Sequence, residues 1–239
     1  MSDEPQQEPY KRAMVVVAHA DDAEFGCSGT VARWCREGME VVYVLATDGS
    51  KGSEDREIMS EQLAETRKRE QIAAGKVLGL KDVAFLGYPD GYLQPTLELR
   101  RDIAREIRRF KPDVLITTNP VRTLTGREYI GHPDHFAAGE AALSAVYPAA
   151  RDHLTFPELL AEGFEPHKVR EMLIMGHPDP DKWVNVTDTI DISIEALLSH
   201  VSQFKDPEGL AERMREWKSE AGKGREMDYA EAFKHFVLG

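Results

Sequence analysis

Cysteine is scarce in this chain, with Cys27 and Cys35 the only two among 239 residues. That excludes a small disulfide-stapled secreted scaffold and points to reduced thiols in a cytoplasmic protein. Basic charge is also short, since 30 Lys and Arg face 42 Asp and Glu for a net charge of −12. An acidic surface of this kind argues against a general binder of phosphate backbones, so no nucleic-acid partner is expected. No apolar run approaches the ~20 residues of a membrane span. The opening Met1–Lys11 stretch carries no apolar signal core and is expected to be a flexible tail. Internal repeats and linkers are missing too, so residues 12–239 are expected to form a single domain.

What is present is an alternation of short β-branched runs with amphipathic stretches. Met14–Ala18, Glu40–Ala46, Asp82–Leu86, Val114–Thr118, Met172–Met175 and Trp183–Val186 are expected to be strands. The first, second and fourth are nearly continuous apolar runs, as in strands covered on both faces. Between them Thr30–Glu37, Glu61–Leu78, Leu97–Phe110 and His135–Val146 read as helices. This order predicts a mostly parallel α/β sheet of Rossmann-like type with helices on both faces. From Asp191 onward the pattern becomes polar and helical (Ile192–Phe204, Glu208–Ser219, Asp228–Phe236), predicting a C-terminal helical extension.

The chemistry-bearing residues gather at the strand ends. His19-Ala20-Asp21-Asp22 follows the first strand, and Gly131-His132-Pro133-Asp134-His135 follows the fourth. In a parallel sheet the carboxyl ends share one edge, so clusters more than 100 residues apart can converge there. Two His and one Asp make a three-ligand site for zinc or another divalent ion with a position left open. His19 and Asp22, and likewise His132 and His135, are spaced three apart, which brings each pair to one side of a turn. Three of these groups would serve as ligands, leaving one His and one Asp for proton transfer.

The segment Ala18–Thr30, with His19-Ala20-Asp21-Asp22 at its head, resembles the Ala-His-Pro-Asp-Asp signature of the LmbE-like (PIG-L) de-N-acetylases. Thr47-Asp48-Gly49, Arg67-x-x-Glu70, Leu86-Gly87-Tyr88-Pro89-Asp90-Gly91 and the His132 cluster match as well, over roughly Ala13 to Tyr147. The resemblance implies a Rossmann-like zinc amidase that removes acetyl groups from N-acetylglucosamine conjugates and related small molecules. It also implies that His19, Asp22 and His135 hold the metal and that Asp21 is the general base. His132 would be the electrophile or acid, oriented by Asp134, and Arg67 and Asp90 would bind substrate. Ala20 stands where Pro is usual, which removes no ligand.

Two other readings fit parts of this sequence. Gly26-Cys27-Ser28-Gly29 after a first strand invites nucleotide binding, and Asp48 after the second strand fits it. However, Gly-x-Gly-x-x-Gly is missing and the carboxylates after the first strand would repel a pyrophosphate. A non-catalytic metal- or sugar-binding relative is the other reading, although Asp21 and His132 leave no chemical component missing. Val121–Ile130 and Ala149–Lys168 are expected to shape the pocket, and His177-Pro178-Asp179 reads as a turn. The expected partner is a small N-acetylated sugar, with no membrane; self-association stays open.

Overall fold

The computed structural model describes residues 9–124 and 130–238. Most of the expected tail, and residues 125–129 of the Val121–Ile130 segment, lie outside them. Five parallel strands form the body of one sheet: β1 (Arg12–Val17), β2 (Glu40–Thr47), β3 (Asp82–Tyr88), β4 (Val114–Thr118) and β5 (Glu171–Met175). They are completed by β6 (Lys182–Asn185) and β7 (Ala230–Val237), giving the order β3-β2-β1-β4-β5-β7-β6. Eight α-helices accompany them among the described residues: α1 (Asp22–Gly26), α2 (Ser28–Arg36), α3 (Ser60–Leu78), α4 (Leu97–Phe110), α5 (Pro133–Ser144), α6 (Pro157–Ala161), α7 (Ile190–Leu198) and α8 (Pro207–Gly222).

The period of two along each strand divides the core between the sheet's faces. Met14, Val16, Val42 and Val44 pack with Leu99, Ile103 and Ile107 of α4 and the alanines of α5. Ala13, Val15, Val17, Tyr43 and Leu45 point the other way, onto Val31 of α2, Ala74 and Leu78 of α3 and Ala196 of α7. Both faces of β1 and β2 are therefore dry, which is why those segments read as unbroken apolar runs. Cys27 and Cys35 are free thiols. No helix among the described residues is long and apolar enough to cross a membrane.

One element departs from the sequence expectation. Asp228–Phe236, read as helix, instead supplies β7, which pairs antiparallel with both β5 and β6. Its Ala, Glu and Lys are good helix formers, and propensity favours a helix. The slot between two strands prevails, because Ala230, Glu231 and Phe233 become buried there. The C-terminal extension is thus helical only through α8 and ends inside the sheet.

The buried Arg108 pins the segment after α5. Its guanidinium donates to the carbonyls of Ala149, Ala150, Asp152 and Thr155 at 2.8–3.2 Å. Arg108→Met keeps the apolar stem but strands these acceptors. It is expected to lower unfolding stability by about 2–3 kcal/mol, read as a shifted denaturant midpoint. A midpoint equal to wild type would show that water replaces the guanidinium freely.

Candidate active site

β1 is the switch point of the sheet, since the chain leaves it for β2 and β3 and returns on its other side at β4. Diverging connections open a crevice at such a point, beyond the carboxyl ends of the strands. Here β1 runs into His19 and the His-Ala-Asp-Asp turn, and β4 leads toward α5. A Cβ at Gly139 of α5 would lie 2.3 Å from the Thr118 carbonyl oxygen, so glycine lets the helix rest directly on the end of β4. Thr118 Oγ1 donates to the His135 carbonyl at 2.7 Å, fixing the first turn of α5 over the end of β1.

His19, Asp22 and His135 meet there. His19 Nδ1 and His135 Nε2 are 3.2 Å apart. Asp22 Oδ1 is 3.0 Å from His135 Nε2, and Asp22 Oδ2 is 3.6 Å from His19 Nδ1. Asp22 thus meets His135 through Oδ1 and faces His19 through Oδ2; His19, His132 and His135 bring ligand atoms within 4.8 Å of one another and could hold a metal ion, as could His19, Asp90 and Asp134. His19 Nε2 faces Asp90 Oδ1 at 3.0 Å and Asp134 Oδ2 at 3.3 Å, so a neutral His19 would keep its proton on Nε2 and turn the Nδ1 lone pair toward His135. The His19 backbone N–H donates to Asp22 Oδ2 at 2.8 Å and fixes that carboxylate.

The charges call for a cation. Burial would raise the Asp22 pKa, but the bonds and charges of His135 and His19 hold it far below the carboxylate range. Burial would likewise lower His19, yet Asp22 and Asp90 raise it to about 10. Without an ion, a proton on His19 balances the surrounding carboxylates, and a divalent cation must displace it.

Asp21 sits beside the triangle. It adopts the left-handed backbone (φ 84°), which Asp tolerates better than most side chains. Its N–H points toward Gln71 Oε1 at 3.4 Å, and Gln71 Nε2 donates to the buried Glu24 at 2.9 Å. Arg67 Nη2 stands 3.6 Å from its carboxylate. Burial, then Asp22, raises the Asp21 carboxyl to about 7 against the opposing pull of Arg67. A cation in the triangle would bring it down and leave the carboxylate ionised.

His132 caps α5, with its Nδ1 accepting the Asp134 N–H at 3.2 Å and Pro133 at the first helical position. That bond leaves the ring proton on Nε2. Burial and the nearby His19 lower its pKa, favouring the neutral imidazole. Asp134 Oδ1 stands 4.0 Å from His132 Nδ1. The same carboxylate accepts from Gly91 N and Leu93 N at 2.7 and 3.2 Å, and its Oδ2 faces His19 Nε2 at 3.3 Å. Asp90, expected to bind substrate, lines the cavity with its oxygens engaged by His19 Nε2 and Lys51 N.

His19, Asp21, Asp22, Asp90, His132 and His135 line a cavity of about 1020 Å³ that also takes in Arg67, Lys51, Phe25, Met175 and Trp217. Asp48 lies outside its lining and braces the loops by accepting from Ser50 N and Asp90 N. His177 is likewise outside, in a turn closed by the Asp179 N–H. Glu24, Gln71, Phe25 and Trp217 went unread in the sequence. Only the spacing of Arg67 and Gln71, four apart on one face of α3, marked any of them.

A doubly wound sheet with a cluster of His and Asp at its switch point defines the class: an α/β protein whose crevice carries side chains that could hold a metal ion. The chain belongs to the PIG-L family, whose model, described as GlcNAc-PI de-N-acetylase, matches residues 14–146. A diacetylchitobiose deacetylase of Thermococcus kodakarensis is 31% identical over 83% of this chain and 73% of its own. A probable N-acetyl-alpha-D-glucosaminyl L-malate deacetylase 2 of Bacillus anthracis is 28% identical, over 81% of this chain and 82% of its own. Among solved structures, an inhibitor complex of the N,N'-diacetylchitobiose deacetylase of Pyrococcus horikoshii superimposes with a TM-score of 0.87. It shares 27% identity and covers 95% of this chain and 84% of that one. A 4-carboxy-2-hydroxymuconate hydratase of Pseudomonas putida shares the fold (TM-score 0.77) at 20% identity, covering 96% of this chain and 97% of that one. The fold alone therefore does not select the reaction.

Proposed function

We propose that this chain hydrolyses the acetamide of an N-acetylglucosamine conjugate with a divalent ion held by His19, Asp22 and His135. One observation carries the reading: His19, Asp22 and His135 meet pairwise at 3.0–3.6 Å on the wall of a cavity that Asp21, outside this cluster, also lines. The deacetylase relatives act on substrates of this kind by their names. Two imidazoles and a carboxylate suit zinc with a coordination position free.

A bound ion supplies Lewis acidity, acidifying water and polarising an amide carbonyl. Asp21 takes the proton of the attacking water as the C–O bond forms. His132 offers its Nε2–H to the carbonyl oxygen as negative charge grows there. Asp21 then returns its proton to the leaving nitrogen, the C–N bond breaks, and acetate and a free amine result. Asp90 and Asp134 hold His19 in its ligating tautomer, and Arg67 screens Asp21 and faces the substrate. Residues 12–239 act as one catalytic unit in this reading, and free cysteines suit the cytoplasm.

Acetate release from N-acetylglucosamine and its conjugates tests the proposal. Chelation should abolish it and added zinc restore it; a panel of such amides left intact by the zinc-loaded protein would refute it. His132→Phe should cut turnover about 10²-fold with little change in KM. An effect confined to KM would make His132 a binding group.

A further inference from the structure

The cavity wall reached by α1 is aromatic. Asp22, Phe25 and Gly26 are three and four residues apart in that helix, so they share one face. The ligating carboxylate thus lies about one helical turn, ~5 Å, from the Phe25 ring. Phe25 packs edge-on against Phe204 with centroids 5.7 Å apart, and Trp217 of α8 tilts toward Phe25 at 6.4 Å. Gly26 and Met175 continue this wall, and a Cβ at Gly26 would meet Met175 Sδ at 2.1 Å. Glycine is what lets the methionine close the wall there.

Trp217 keeps 55% of its surface exposed while lining the cavity. An indole held by an aromatic neighbour, with its remaining surface turned to a site, is costly to leave wet and suits an apolar ligand face. Hexopyranoses with equatorial hydroxyls present such a face, because their axial C–H bonds project to one side. Those hydrogens carry slight positive charge, which the electron-rich face of an aromatic ring attracts. The cavity, about 1020 Å³, is at the upper end of the usual range for small-molecule sites and exceeds a single amino sugar. Gln203, also on the lining, brings an amide that can bond ring hydroxyls.

We propose that Trp217 and Phe25 form a stacking subsite for a second pyranose ring, linked to the N-acetylglucosamine that is cleaved. This rests on the deacetylase reading above and names the part of the substrate that the aromatic wall selects. Trp217 is a specificity residue here and takes no part in bond breaking.

The test compares wild type, Trp217→Ala and Trp217→Phe on N-acetylglucosamine and N,N'-diacetylchitobiose. In Trp217→Ala the preference for the disaccharide, as a ratio of kcat/KM values, should fall about tenfold. Trp217→Phe should retain most of it. Intrinsic fluorescence gives a readout independent of turnover, because Trp34 and Trp183 remain as internal controls. Titration with chitobiose should change the wild-type emission and leave that of Trp217→Phe unchanged. A wild type inactive on both sugars would sink the deacetylase reading, while a Trp217-dependent fluorescence response would still support the subsite. An unaltered preference ratio overturns the subsite. So does a Trp217→Ala protein whose only change is a lower molecular mass by light scattering, which would make this face a contact between copies.

Discussion

Asp21→Asn is expected to bind its divalent ion at full stoichiometry while turnover falls about 10²–10⁴-fold. Asn is nearly isosteric and tolerates the left-handed backbone (φ 84°) that this position requires, so the turn should survive intact. The proposed ligands His19, Asp22 and His135 are untouched, and Gln71 can still receive the residue-21 N–H. What disappears is the Asp21 carboxylate that the proposed reaction uses as its proton acceptor. Metal analysis and single-turnover acetate release on the same preparation separate the two roles. Wild-type turnover in that variant would move the base elsewhere, whereas lost metal would make Asp21 a ligand.

Glu231→Ala should be nearly as damaging, but to the fold. Glu231 reaches from β7 to the N-terminus of α2, where its two oxygens accept from Gly29 N and Thr30 N at 3.0 and 2.8 Å. Lys218 of α8 pairs with it at 2.9 Å and also donates to the Phe25 carbonyl at 2.8 Å. Both side chains are buried, at 7% and 1% exposure. Removing the carboxylate leaves an ammonium and two helix-end N–H groups without their partner, for an expected loss of about 3–5 kcal/mol. Urea unfolding measures it directly. The double variant Lys218→Met/Glu231→Ala should recover part of that loss, because no uncompensated charge stays inside. A single variant within 1 kcal/mol of wild type would mean that water enters and solvates the pair.

Much of the sheet was legible because burial on both faces writes itself as uninterrupted Val, Leu and Ile, as in Met14–Val17 and Val114–Ile116. Parallel strands then placed His19 and His135 at one edge, so their convergence could be anticipated from residues 116 positions apart. β7 was not legible. Its Ala-Glu-Ala-Phe-Lys-His alternates only weakly, and neighbours that come from elsewhere in the chain decide its state. The partners of Asp90 and Asp134 were hidden for a related reason. Which oxygen meets which N–H depends on how the turn after β3 folds against α5, and spacing does not encode that. The Lys218–Glu231 pair looked like ordinary surface charge in a polar C-terminal stretch, since an isolated Lys or Glu is most often solvated.

The seating of β7 also fastens one end of the sequence to the other. Glu231 lies 202 positions from Gly29, yet its carboxylate completes the N-terminus of α2, next in the chain after the short helix that carries Asp22. A chain cut before Ala230 would leave those N–H groups and the Lys218 ammonium without that carboxylate and the outer edge of β5 unpaired.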